Sequence, residues 1–136
     1  ALIGVAELLG EGGVSAIADR IGTRKALTYG LITSVLASLL LPLVGGTTTG
    51  AFVGLFLFYL TFEFSIVSLI PLMTGVLPEA RGTVMALSIA SANFGRGHGS
   101  WIAAPLFRGG FWVNALGAGI VNLLAILLLR YLVVVR

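Results

Sequence analysis

The chain contains no cysteine. This excludes disulfides, thiolate metal sites and thiol chemistry. One histidine is too few for a histidine-rich metal site. Charge is equally scarce: 10% of the 136 residues are charged, against about 25% in soluble globular domains. So few charges cannot coat a water-facing surface. No clustered nucleophile, base and acid can be picked out, as a catalytic site requires. No catalytic residue, metal or cofactor is therefore expected. Of the eight basic residues, all but Arg96 lie at or near the ends of apolar runs, whereas a nucleic-acid binder gathers them on one face, so no nucleic-acid partner is expected either. No basic stretch followed by a short apolar core marks a signal peptide. The chain opens at Ala1 within an apolar, glycine-rich run, and a longer parent protein is expected.

Long apolar runs are what the sequence has in abundance. Hydrophobic residues make up 58% of the chain, and the mean hydropathy is +1.11. About 20 mostly apolar residues suffice to cross the hydrocarbon core of a bilayer. The pattern predicts one partial segment over 1–18 and four complete ones over 25–44, 50–73, 82–107 and 110–134. Barrel strands alternate polar and apolar residues, but Leu55-Phe56-Leu57-Phe58-Tyr59-Leu60 does not alternate. In lipid the backbone must satisfy its own hydrogen bonds, so such runs become helices. The expected fold class is all-α, a polytopic membrane helical bundle with lipid bilayer as its solvent. Short connections make neighbouring helices antiparallel. Arg20, Arg24, Lys25, Arg81, Arg130 and Arg136 then fall on one side, while the other carries only Arg108. Lysine and arginine favour the cytoplasm. A multi-pass protein of the cell membrane, with a cytoplasmic C-terminus, is the expectation.

The most specific motif is Ser15-Ala16-Ile17-Ala18-Asp19-Arg20-Ile21-Gly22-Thr23-Arg24-Lys25. Physically it reads as a tight hairpin: Gly22 can adopt φ > 0 after a helix, and Asp19 can accept from exposed amides or pair with Arg24 or Lys25. A plainer reading is a charged loop that obeys the positive-inside rule. The stretch resembles the signature loop of the major facilitator superfamily of transporters. Asp19, Arg20, Gly22, Arg24 and Lys25 match that signature; Ser15 stands where the family usually has Gly, and Thr23 where it often has Arg. The resemblance implies a conformational latch in which Asp19 holds a neighbouring helix end, with Arg20 and Arg24 as partners. In the family the loop lies between helices two and three, and a weaker copy lies between helices eight and nine. Four segments follow it here, which suits helices nine to twelve and equally three to six. The degeneracy of the loop favours the C-terminal half, helices eight to twelve of a twelve-helix transporter. So does the lack of a Gly-Pro-x-x-Gly motif in the fourth segment. Asn93-Phe94-Gly95-Arg96-Gly97-His98-Gly99-Ser100 is similar to that motif, with Ser100 in place of Pro, and Pro78-Glu79-Ala80-Arg81-Gly82 is similar to the loop before both the fifth and the eleventh helix. On this reading the missing N-terminal half is a partner.

Ionisable groups within a spanning helix are costly and mark functional sites by default. Glu7 and Glu11 share a helix face, and Glu7 lies ~18 Å from Asp19 along the axis. A proton or cation pathway is favoured for Glu7; for Glu11 an interfacial position is an equal reading. Glu63 sits among Phe56, Tyr59, Phe62 and Phe64, as a proton carrier or one half of an ion pair. Arg96 shares a face with Asn93 and Ser100. That stripe suits the anionic group of a substrate, and a Glu63–Arg96 pair that only fixes packing is an equal alternative. His98 lies about 200° around the helix from Arg96 and reads as a packing or hydrogen-bonded residue. Gly95 and Gly99, like Gly50 and Gly54, have the spacing that lets helices approach closely; static packing is the plainer reading and sliding the functional one. The expected function is secondary active transport of a small organic solute by alternating access, with proton-coupled efflux implied by the family resemblance. The pathway residues would be Glu7, Glu63, Asn93 and Arg96. The alternative is a helical membrane protein without a transport cycle, such as an integral-membrane enzyme or an assembly subunit.

Overall fold

Helix boundaries in this chain are set by a few glycines, a proline and one threonine. In the computed structural model, residues 1–131 are described, apart from the side chain of Ser15. Arg136, the last residues of the expected fifth segment and the C-terminus lie outside the described residues. The described residues form five α-helices: α1 (Leu2–Ile21), α2 (Thr23–Val44), α3 (Thr48–Val76), α4 (Arg81–Arg108) and α5 (Phe111–Tyr131). A short 3-10 turn, Pro78–Ala80, precedes α4, and no strand occurs among the described residues.

The first connection is tighter than the sequence suggests. Asp19 and Arg20 belong to α1, and Gly22 alone separates it from α2. Gly22 has φ 87° and ψ 145°, and its amide donates to the Ala18 carbonyl at 2.9 Å. That backbone conformation is open essentially to glycine alone. One residue thus caps both helices and reverses the chain. At the other end Thr47 is extended, and its hydroxyl accepts from the Gly50 amide at 3.1 Å, the N-cap arrangement that satisfies an otherwise orphaned donor. α3 stops at Val76 because Leu77 precedes Pro78, and a residue before proline is disfavoured in the α conformation. Pro42 and Pro105 lie within the last turns of α2 and α4, and Pro71 in the turn before the last of α3.

Three helices, α2, α3 and α5, are long and apolar enough to cross a membrane. At 29 residues, α3 is ~44 Å long at 1.5 Å per residue, so it tilts or overhangs a ~30 Å core. The sequence predicts a full span for the fourth segment as well. α4 has the length, 28 residues, but Asn93, Arg96, His98 and its many glycines and serines lower its apolarity below that of the three.

The helices pack by small residues. α2 and α3 form the central pair; α1 and α4 flank α3, and α5 packs on α2 and α4. The buried faces are Ala26, Gly30, Ser34, Ala37 and Ser38 on α2, and Gly54, Ser65 and Ser68 on α3. Small side chains let the backbones approach, which is how helices gain packing contacts in lipid. Several hydroxyls bond the carbonyl three or four residues back, as Ser38, Thr61 and Ser65 do, so they need no outside partner. Two apolar clusters complete the interior. Val14, Ala18 and Ala26 join α1 to α2 with Phe64 and Val67 of α3 packed against them, and Leu27, Leu72 and Leu129 join α2, α3 and α5.

Candidate functional site

α1 meets α3 at a glycine. A methyl group placed on Gly10 would lie 2.9 Å from Glu63 Cβ and 2.9 Å from the Leu60 carbonyl oxygen. On the other flank, a methyl on Gly30 of α2 would lie 2.7 Å from Ser65 Oγ and 3.0 Å from the Phe64 ring. The segment Glu63-Phe64-Ser65 is therefore held between two glycine-lined helices. Larger residues at either point would push α3 away.

This approach brings together the ionisable groups that stand out in the sequence. Glu63 lies within electrostatic range of Glu7 and Glu11 on α1 and of Arg96 on α4. Glu7 and Glu63 are half-buried; Glu11, Asn93 and Arg96 are exposed. Among the described residues no acid and base form an ion pair. Glu63 and Arg96 are thus within electrostatic range without an ion pair, and the expected alternative of a packing pair is not made among the described residues. The guanidinium of Arg96 has no protein hydrogen-bond partner among the described residues. Unpaired charges at this position in a helix call on water, a ligand or another protein surface for solvation. Ser100 does not extend the stripe, since its hydroxyl donates to the Arg96 carbonyl at 2.9 Å.

The acidic stripe of α1 continues toward its C-terminus. Glu11 and Asp19 open onto one surface cavity of about 290 Å³, bordered by Val67, Ile70 and Pro71 of α3. Asp19 and Arg20 are exposed and make no side-chain hydrogen bond among the described residues. Arg24 does not pair with Asp19. Its Nη2 donates to the carbonyls of Leu129 at 2.9 Å and Arg130 at 3.0 Å. It thereby caps the C-terminal end of α5, where unsatisfied carbonyls and the helix dipole favour a cation. The contact also places the start of α2 and the end of α5 at the same end of the bundle.

The remaining sequence candidates lie apart from this cluster. Methyl groups on Gly95, Gly97 or Gly99 would meet nothing within 4 Å, so no helix of this chain packs directly on these glycines. Residues 91–100 of α4 are all exposed. Gly54, in contrast, abuts Leu41 and Val44 of α2. His98 is held locally: Nδ1 bonds the Phe94 carbonyl at 3.0 Å and its ring lies 3.9 Å from that of Phe94. Gly10 and Gly30 were not singled out by spacing, since neither belongs to a Gly-x-x-x-Gly pair. No group of three or more metal-ligating side chains occurs among the described residues. No protein-family model, curated protein or solved structure matches the chain.

Proposed function

We propose that the chain is part of a secondary transporter of the major facilitator type, with α1 to α5 in the places of helices eight to twelve. It moves a small organic solute by alternating access, with proton-coupled efflux as the mode of drive and the direction. The observation that carries this reading is the position of Glu63. It lies midway along an apolar helix, between the acids of α1 and the guanidinium of α4, with no ion pair to satisfy it. Three helices contribute to one charged locus, as expected of a solute and ion pathway between helices near the midplane. Three carboxylates against one guanidinium favour a proton or a cationic group as the species held there. Asn93, one turn from Arg96, supplies a neutral hydrogen-bonding group beside it. Asp19, Arg20, Gly22 and Arg24 form the latch at the basic end, with Asp19 facing the end of α3.

The test is flux through the full-length protein in proteoliposomes, for a broad panel of organic solutes, with and without a proton gradient. Gradient-dependent flux of at least one solute is expected, and Glu63→Gln should reduce it at least tenfold while gradient-free exchange persists. A folded protein that moves no solute under either condition would refute transport. It would leave a membrane enzyme or an assembly subunit as the reading.

A further inference from the structure

A second cavity lies between α2, α3, α4 and α5, away from the charged cluster. Its volume is about 440 Å³, and Ser34, Phe58, Phe62, Gly99, Asn114 and Asn122 line it together with glycine and aliphatic residues. No ionisable side chain among the described residues contributes to the wall. The volume is within the roughly 300–1,000 Å³ typical of small-molecule sites.

Three polar groups in this wall lack partners. Ser34 is 3% exposed, yet its hydroxyl has no hydrogen bond among the described residues. Its neighbours Thr33 and Ser38 bond backbone carbonyls. The amides of Asn114 and Asn122 are half-buried and likewise make no side-chain hydrogen bond among the described residues. Both stand in a helix apolar enough to cross a membrane, where an unmet amide costs free energy. Eight residues of helix separate them, ~12 Å along the axis. Opposite, the Phe58 and Phe62 rings stack with centroids 6.1 Å apart and planes 11° from parallel, giving the cavity an aromatic wall.

From these features we infer that the cavity is a binding site for an uncharged organic molecule with an aromatic body and hydrogen-bonding groups of the amide, ketone or alcohol type. The uncharged wall excludes ions, which would enter without compensation. A lipid acyl chain would fill the apolar part but satisfy neither amide nor the Ser34 hydroxyl. The aromatic wall favours a ring, which stacks or packs edge-on against phenylalanine. The inference is independent of the transport proposal, since it concerns different residues and equilibrium binding alone.

The experiment is photolabelling of the full-length protein in lipid nanodiscs with 4-benzoylbenzamide, a neutral aromatic amide whose ketone cross-links on irradiation. Labelling should saturate and map to peptides containing 58–62 and 114–122. Unlabelled benzanilide should compete, and benzoate and benzylammonium should not. Asn114→Leu and Asn122→Leu should each weaken half-saturation roughly five- to tenfold, the loss of about one hydrogen bond apiece. If a variant fails to fold, the competition series decides the question on the unaltered protein. Labelling that never saturates and spreads over the exposed Leu123, Leu124, Leu127 and Leu128 would identify a lipid-filled groove and overturn the inference. Competition by the charged analogues would overturn it too. No gradient or flux enters this assay, so its outcome and that of the transport assay are separable.

Discussion

Gly10 is the point at which the fold and the proposed site depend on one hydrogen atom. Gly10→Ala adds a methyl that would meet Glu63 Cβ and the Leu60 carbonyl oxygen at 2.9 Å, and the Phe64 amide nitrogen at 3.2 Å. Two of these three are backbone atoms, so rotating a side chain brings no relief. Ordinary contact distances are ~3.5–4.0 Å, so α1 must retreat from α3 by roughly 0.6 Å or more, loosening the packing of Val14 and Ala18 against Phe64 and Val67. Overpacking of this kind costs about 1–3 kcal/mol. The alanine regains roughly 0.5–1 kcal/mol of helix propensity. The net expectation is a loss of about 1–2 kcal/mol. Gly97→Ala, on the open face of α4, adds the same methyl with nothing to strike, and should be neutral or slightly stabilising. Reversible unfolding by steric trapping in bicelles, run on both variants, measures the difference. A Gly10→Ala protein as stable as the Gly97→Ala protein would refute the close approach of α1 to α3. The junction between Glu7 and Glu63 would fall with it.

Two further perturbations probe the basic end. Arg24→Gln removes the cation that caps α5 and should destabilise by about 1–2 kcal/mol, a charge-assisted donor pair at a partly exposed helix end. Hydrogen exchange should accelerate at the last amides of α5 and stay unchanged in α4; no local change would mean that the guanidinium is not bound there. Gly22→Ala forces a side chain into φ 87°, a strain of roughly 1–3 kcal/mol. Its melting temperature should fall below that of Gly46→Ala, whose added methyl meets nothing, and equal melting temperatures would contradict the one-residue reversal.

The charged cluster was legible in part. Glu7, Glu63 and Arg96 stand out in the sequence because each is an ionisable residue inside a weakly charged run, and the cost of burying a charge is a property of the residue and its immediate neighbours. Which groups face each other was not legible, and neither was the missing ion pair. Arg24 shows the limit clearly. Its place beside Asp19 and Lys25 suggests a local partner, while its donors reach carbonyls more than a hundred residues onward. Ser34, Asn114 and Asn122 are polar positions in apolar runs and could have been marked by the same rule that marked Glu63. Neutral side chains often bond their own helix, however, so sequence position alone does not show that these three are unpartnered.

What the sequence by itself determined is local. Runs of apolar residues without alternation commit the backbone to helices, because in lipid each amide must find its carbonyl a turn away. Gly22 and Pro78 end helices by conformational limits, and Thr47 starts one by a side-chain hydrogen bond, all acting within a few residues. Only the tertiary structure decided which glycines are contacts. Gly10 and Gly30 press on α3, whereas methyls on Gly95 and Gly99 would touch nothing within 4 Å, although the latter pair has the better motif. Spacing puts small residues on one face of a helix; which neighbour that face meets depends on the crossing of whole helices, which no short stretch of sequence encodes.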